Sequence, residues 1–356
     1  MSTKNILVVD DSALMRRVIC DIINSDSNFQ ATDFCRDGLE AYERLKEKTY
    51  DGVVLDVNMP RMDGLELLER LQKENIKATV IMVSTLTTKD AEVTIMAMEL
   101  GAVDFVTKPN TFADAKSDQF KRKLLEVLSA VLLKKTMGLN PKPVVPLPKR
   151  TEAAKKNHGV GKGNNRIVAL ACSTGGPKSL QSVIPKLPKN LNAPMVLVQH
   201  MPAGFTKSMA DRLNDISEIE VVEAKDGDKL QKGVIYIAPG GRHMEVKKQT
   251  DGTHKIVLND MPAIGGLRPC ANITYDSLSN CGYDEVVCVV LTGMGADGTN
   301  GIVSLEQHKP VHVIAQDEAS SVVYGMPKAI YEAGAVDEVV ALDDVAQSII
   351  NHVGVI

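Results

Sequence analysis

Tryptophan is absent from this sequence, and only 7 tyrosines and 6 phenylalanines are spread over its 356 residues. Base-stacking platforms need aromatic faces in number, so single-stranded nucleic-acid binding has little material here. Positive charge is not in excess either. Lys and Arg total 41 against 45 Asp and Glu, a formal charge of -4, which gives no cationic field for a phosphate backbone. No Cys-x-x-Cys pair occurs among Cys20, Cys35, Cys172, Cys270, Cys281 and Cys288, which removes zinc ribbons and dithiol redox motifs and leaves scattered reduced thiols. No apolar run approaches the roughly 18 residues of a membrane span. The N-terminus reaches Asp10 and Asp11 after a short apolar run, unlike a signal peptide. The expectation is a cytoplasmic protein that is not membrane-inserted and has no nucleic-acid partner.

What is present suffices for compact folding: hydrophobic residues make up 44% and charged residues 24%, near the values of soluble domains, and the length suits two domains. Over residues 1–133, short apolar runs alternate with amphipathic stretches. Strands are predicted at 6–9, 29–34, 52–55, 79–83 and 103–106, with helices at 12–24, 39–46, 65–74, 89–100 and 114–134. That is an α/β unit, doubly wound on a five-stranded parallel sheet of flavodoxin-like type. Residues 134–165 carry Pro141, Pro143, Pro146, Pro148 and a Gly-rich tract without apolar periodicity, and read as a linker. Residues 166–356 form a second α/β domain with a mainly parallel sheet, its strands at 167–171, 194–199, 234–238, 285–291 and 311–315, followed after Gly325 by helix-like segments. The charge divides with the domains: -5 over 1–133, +8 over 134–166 and -7 over 167–356. Two acidic domains are joined by a basic strap, whose charge is expected to make domain docking depend on salt.

In the first domain, Asp10 and Asp11 end one predicted strand, Asp56 another and Ser84 a third, and Lys108 follows the fifth. Carboxyl ends of parallel strands share one edge of a sheet, so three carboxylates, a hydroxyl and an ammonium converge. Three carboxylates repel one another unless a cation sits among them, and a hard Mg²⁺ is the natural occupant. The simpler alternative makes Asp10-Asp11 a helix cap and Lys108 an exposed cation. Five positions in register at one edge favour the site.

The motifs Val-Val-Asp-Asp-Ser, Leu-Asp-Val-Asn-Met-Pro-Arg-Met-Asp-Gly, Val-Ser-Thr and Thr-Lys-Pro make residues 4–126 resemble the receiver domain of two-component response regulators. The resemblance implies that Asp56 accepts a phosphoryl group from a histidine kinase. It also implies that Asp10, Asp11 and Asp56, with the backbone carbonyl of Asn58, bind Mg²⁺, that Lys108 neutralises phosphoryl charge, and that Ser84 and Phe105 are the switch residues.

In the second domain Ser173 follows a predicted strand and precedes Thr174, Gly175, Gly176 and Pro177. Two glycines permit a tight strand-to-helix turn and proline suits the first helical position, so free N–H groups should flank the hydroxyl. A serine needs an adjacent base held by a third group. His200 ends the next strand, and Asp297 lies beyond the strand at 285–291, on the same sheet edge if the strands are parallel. His243, in Gly-Arg-His-Met, is a competing base. These residues alone leave both histidines open, and leave Ser173 open as a plain helix cap. Gly293-x-Gly295-x-x-Gly298 also fits a dinucleotide fingerprint, with Asp317 placed 19 residues further on. Against it, Asp297 would set a carboxylate inside the phosphate cradle.

Cys172-Ser173-Thr174-Gly175-Gly176, Gln199-His200-Met201-Pro202-Ala203-Gly204-Phe205-Thr206, Ala238-Pro239-Gly240-Gly241-Arg242-His243-Met244 and Leu291-Thr292-Gly293-Met294-Gly295-Ala296-Asp297-Gly298 together resemble the CheB-type methylesterase domain. With the receiver and linker, the likeness to chemotaxis response regulator protein-glutamate methylesterases covers nearly the whole chain. It implies Ser173 as nucleophile, His200 as base and later acid, Asp297 as the group orienting His200, Met294 as an oxyanion N–H donor and Thr174 as a lining residue. The implied substrates are methyl-accepting chemotaxis receptors, demethylated at glutamate and deamidated at glutamine, and the esterase itself needs no cofactor. Cys172, Cys270 and Ala271-Asn272 depart from the family pattern, which leaves the three catalytic residues intact and the substrate-groove contacts near Cys270 open. A non-catalytic, phosphorylation-switched adaptor is the alternative. Regulation is expected through docking of the unphosphorylated receiver over the Ser173 edge.

Overall fold

The computed structural model describes residues 2–109, 118–133 and 165–356, so the predicted linker lies outside the described residues. The chain divides into two compact units, Met1–Met137 and Gly138–Ile356.

The first unit alternates strands β1 (Lys4–Val9), β2 (Phe29–Cys35), β3 (Gly52–Asp56), β4 (Val80–Ser84) and β5 (Asp104–Thr107) with helices α1 (Ala13–Asn24), α2 (Gly38–Glu47), α3 (Gly64–Lys73), α4 (Thr88–Glu99) and α5 (Asp118–Leu132). The sheet order is β2-β1-β3-β4-β5 and every pairing is parallel. Local chemistry sets the helix starts. The Ser12 hydroxyl accepts from Met15 N at α1, and Asp63 and Glu66 form a reciprocal capping box at α3. Chain direction across the sheet reverses between β1 and β3, the strands that deliver Asp10 and Asp56, where such folds open their ligand crevice.

The second unit is built on seven strands in the order β14-β13-β12-β6-β7-β9-β8, all paired in parallel. They are β6 (Arg166–Cys172), β7 (Met195–Gln199), β8 (Glu220–Glu223), β9 (Val234–Ile237), β12 (Glu285–Val290), β13 (Val311–Gln316) and β14 (Glu338–Val340). Helices α6 (Gly176–Val183), α7 (Phe205–Asp215), α8 (Ala271–Leu278), α9 (Thr299–Glu306), α10 (Met326–Glu332) and α11 (Val345–Val353) complete it. Strands β6, β7 and β12 are buried from end to end apart from Arg166, which explains their near-continuous apolar sequences. The order reverses between β6 and β12, so Ser173 stands beside the reversal with His200 and Asp297 carried by the two neighbouring strands.

Three elements depart from the sequence reading. An antiparallel hairpin of β10 (His243–Lys248) and β11 (His254–Asn259) forms its own two-stranded sheet and braces α8, with Thr274 Oγ1 donating to Met244 O and Val246 N donating to Ser277 Oγ. Strands β8 and β14 were not anticipated, and β14 interrupts the stretch after Gly325 expected to be helical. Both lie at sheet edges and hold only 4 and 3 residues, too few for a periodic signal.

Candidate active site

In the first unit the expected convergence is present. Carboxylate oxygens of Asp10, Asp11 and Asp56 lie within 4.8 Å of one another. The Lys108 Nζ stands 2.7 Å from Asp10 Oδ2 and 2.6 Å from Asp56 Oδ2. The β1–α1 loop is held by Arg16, whose guanidinium donates to the Asp10 and Asp11 carbonyls, and Lys108 N donates to Ser84 O at 2.6 Å. Burial pushes the Asp56 carboxyl up to about 6, with Lys108 pulling it down and Asp10 adding to the rise. A crowded, all-oxygen, partly buried donor set of this kind fits a hard divalent cation.

The switch residues are also placed. Ser84 is fully buried, and its Oγ accepts from Thr94 Oγ1 at 2.8 Å on α4. Phe105 is buried on β5. Sequence reading missed Asp90, which accepts from Asn58 Nδ2 at 2.7 Å and from Thr85 Oγ1 and so ties the loop after β3 to the loop after β4.

In the second unit Ser173 leaves the end of β6 and its N–H donates to Thr292 O at 3.0 Å. Gly175, at φ 77, turns the chain into α6, and a Cβ there would sit 2.6 Å from Val322 Cβ. Pro177 follows within the first turn, as expected. The N–H groups of Thr174 and Met294 have no hydrogen-bond partner among the described residues, which leaves donors beside Ser173 for a developing oxyanion.

His200 follows β7, and its N–H donates to Cys172 O at 3.2 Å. The imidazole Nε2 meets Asp297 Oδ2 at 2.8 Å, with both side chains almost fully covered. Nε2 is thereby committed to the carboxylate and Nδ1 is the nitrogen left for Ser173. No hydrogen bond joins Ser173 Oγ to His200 in this structure. Catalytic hydrogen bonds are often long in a free enzyme and tighten only around substrate.

Asp297 is fixed from several sides. It accepts from Ala271 N at 2.6 Å, Asn272 N at 3.1 Å, Gly298 N at 3.0 Å and the Cys270 thiol at 3.2 Å, so the first turn of α8 faces the carboxylate. Burial alone would raise its pKa, but the His200 bond and charge, together with Ala271 N–H and the Cys270 thiol, outweigh it and bring the group down to about 2.

The competing histidine is engaged elsewhere. His243 is fully buried, its Nε2 3.2 Å from Pro262 O and its Nδ1 accepting from Cys270 N at 3.2 Å. Both ring nitrogens are used by backbone, Nδ1 as the acceptor from Cys270 N, so His243 has no free lone pair for a substrate. The dinucleotide reading fails too. A Cβ on Gly293 would lie 2.8 Å from Ser173 Cβ, so that glycine admits the serine turn, and Asp317 caps its own loop at Ser320 N.

The departures at Cys172 and Cys270 lie among the groups that support His200 and Asp297. Both thiols are buried; Cys172 Sγ donates to Gln199 Oε1 and Cys270 Sγ to Asp297. Asn272 Oδ1 accepts from Gly298 N and Gly301 N, joining α8 to the start of α9. Sequence reading also missed Gln199. Its Nε2 donates to the carbonyls of Ser173 at 3.1 Å and His200 at 3.2 Å, and so binds the two strand ends together. The available signal was a polar residue closing an otherwise apolar strand.

Both units are similar to known proteins. Residues 168–349 match the family model described as CheB methylesterase, and residues 6–117 that of the response regulator receiver domain. A protein-glutamate methylesterase/protein-glutamine glutaminase of Bacillus subtilis (strain 168) is 42% identical over 97% of both chains. One of that name from Clostridium acetobutylicum is 40% identical over 99% of both. The crystal structure of the Thermotoga maritima CheB methylesterase catalytic domain superposes with a TM-score of 0.51 at 42% identity, covering 52% of this chain and 98% of that one.

Proposed function

The chain belongs to the CheB methylesterase family, with a receiver domain preceding the catalytic one, and is a phospho-regulated protein-glutamate methylesterase/protein-glutamine glutaminase of chemotaxis; on that premise we propose how its own residues perform the reaction. Ser173 Oγ attacks the side-chain carbonyl of a receptor glutamyl methyl ester and its proton passes to His200 Nδ1. The oxyanion is received by the free N–H of Met294, with Thr174 lining the same site. The tetrahedral adduct collapses, methanol leaves with the proton from His200, and water, deprotonated by His200, releases the carboxylate and regenerates Ser173. Glutamine follows the same path with ammonia leaving, more slowly because the amide has the poorer leaving group. Asp297 keeps the Nε2–H of His200 in place and stabilises the imidazolium.

The observation that carries this reading is the 2.8 Å contact between His200 Nε2 and Asp297 Oδ2, held beside the strand end that bears Ser173. Methanol release from methylated receptor measures it. Ser173→Ala should abolish release in a folded protein; an undiminished rate would overturn the assignment of Ser173, and no release from the wild type would leave a non-catalytic adaptor.

For the receiver, Asp56 is the phosphoryl acceptor, supplied by a histidine kinase in the cytoplasm. Asp10, Asp11, Asp56 and the Asn58 carbonyl would hold Mg²⁺, which offsets charge on the phosphoryl oxygens. Lys108 pairs with the same charge, and Ser84 and Phe105 relay the change. Asp56→Asn should take up no phosphoryl group from a small acyl phosphate and should show no rise in esterase rate. Deleting residues 1–140 should raise the basal rate, as expected if the receiver restrains the esterase.

A further inference from the structure

On the second unit, away from Ser173, two imidazoles and a carboxylate aim at one point. His312 Nε2 lies 3.0 Å and His352 Nε2 2.6 Å from the same oxygen, Glu338 Oε1. The two rings are stacked, centroids 3.6 Å apart and planes inclined by 27°. Donor atoms of the three residues lie within 4.8 Å of one another. His312 is the second residue of β13, Glu338 the first of β14, and His352 stands in the last turn of α11. The cluster therefore occupies the amino end of the sheet, whereas Ser173, His200 and Asp297 follow strand carboxyl ends.

The surroundings resemble those of a ligand set. Ser348 Oγ, one turn before His352, donates to Glu338 Oε2 at 2.6 Å and fixes the carboxylate with its other oxygen toward the rings. Asp337 Oδ2 stands 4.0 Å from His312 Nδ1, on the ring nitrogen facing away from Glu338. The same oxygen accepts from Val313 N at 2.9 Å, so Asp337 adds negative charge behind His312 without a hydrogen bond to its ring. Arg166 donates to the His352 carbonyl at 2.7 Å and anchors the end of α11. The three ligand side chains are 18, 34 and 28% exposed, so an ion can arrive from solvent.

We propose that His312, Glu338 and His352 form a Zn²⁺ site with a water in the fourth position. Two imidazole nitrogens and one carboxylate oxygen suit a borderline cation and not Mg²⁺ or Ca²⁺, which take oxygen sets. Zinc–ligand distances of about 2.0–2.2 Å would be met by small movements of rings that already converge on one oxygen. Zinc there joins the edge strand β14 and the last helix to β13, at the end of the sheet opposite the reacting serine.

The test uses the full chain without an affinity tag, stripped with chelator and titrated with Zn²⁺ against a chromophoric competitor. Wild type should bind one more equivalent than His312→Gln or His352→Gln, and Ser348→Ala should weaken that equivalent by roughly tenfold. At about a hundred times Kd, Zn²⁺ should raise Tm of the wild type by roughly 5–10 °C and leave that of the glutamine variants unmoved. Equal stoichiometry and equal shifts in all the proteins would overturn the proposal and leave a plain His-Glu-His hydrogen-bond cluster. A second measurement needs no variant: Zn²⁺ should protect His312 and His352 of wild type from diethylpyrocarbonate, mapped by mass spectrometry, while exposed His308 stays reactive. Unprotected His312 and His352 at saturating Zn²⁺ would equally refute the site.

Discussion

The Cys270 thiol points at Oδ1 of Asp297 across 3.2 Å, on a carboxylate whose other oxygen holds His200. Burial first, and then the Asp297 charge, push the Cys270 thiol up to about 12, so it remains an S–H donor throughout the working range. Cys270 thus helps to hold the carboxylate that meets His200. Cys270→Ser keeps a donor and should retain near-normal kcat, whereas Cys270→Ala should lower kcat by a few-fold to about tenfold with KM little changed. Equal kcat for both variants would remove the thiol from the positioning of Asp297. Alkylating reagents should leave Cys270 unmodified in the folded protein.

Asp297 gives a pH signature. Its folded pKa of about 2 lies below the roughly 4 of an unfolded aspartate, so its ionised form contributes stability above pH ~4 that is lost as pH falls through about 2. Between those limits the Tm of wild type should fall more steeply than that of Asp297→Asn, as a thermal series in acid would show. The variant should also lose on the order of 10²- to 10⁴-fold in kcat at neutral pH, because its amide cannot support an imidazolium. Parallel Tm curves would mean that the carboxylate is not held ionised.

The two histidines should separate cleanly. His200→Gln should lose about 10²- to 10⁴-fold or more in kcat while folding normally. His243→Gln should instead destabilise by ~1–3 kcal/mol through its broken backbone bonds, with kcat within roughly tenfold of wild type. Denaturant unfolding alongside methanol release distinguishes the outcomes, and a larger kcat loss for His243→Gln than for His200→Gln would reverse the assignment of the base.

Much of this was legible before any coordinates. Parallel strands fully buried on both faces have continuous apolar sequences, so β6, β7 and β12 stood out, and the residues following them had to share one edge. The choice between His200 and His243 was not legible, because it depends on what each ring nitrogen touches. For His243 those partners are backbone atoms of Pro262 and Cys270, on a loop and a helix cap whose approach depends on the β10–β11 hairpin. In that hairpin β10 ends on the exposed Lys247 and Lys248, and the buried/half-buried alternation of β11 falls on His-Lys-Ile-Val-Leu-Asn, a sequence that itself scarcely alternates. The meaning of Cys270 was hidden for the same reason: one residue before α8, it acquires a role only when the loop after β12 folds back on it.

Gly293 is where backbone packing and chemistry meet most closely. A Cβ added there would fall 2.3 Å from Met326 Sδ, 2.8 Å from Ser173 Cβ and 3.0 Å from Ser173 N. The methionine tail can move aside, but the Ser173 backbone cannot, since its N–H is bonded to Thr292 O and the turn continues through Gly176 N to Ser173 O at 2.7 Å. Met294, whose N–H is proposed to meet the oxyanion, is the next residue and would be displaced by the same methyl group. Gly293→Ala should therefore lower kcat by about 10²-fold or more, as a nucleophile and an oxyanion donor both move out of register. Receiver phosphorylation at Asp56, on the separate unit, should be unaffected, and a wild-type-like thermal unfolding transition of the second unit serves as the folding control. Esterase activity within a few-fold of wild type would mean that the Ser173 turn tolerates displacement, and that the close approach of Gly293 is a packing accident.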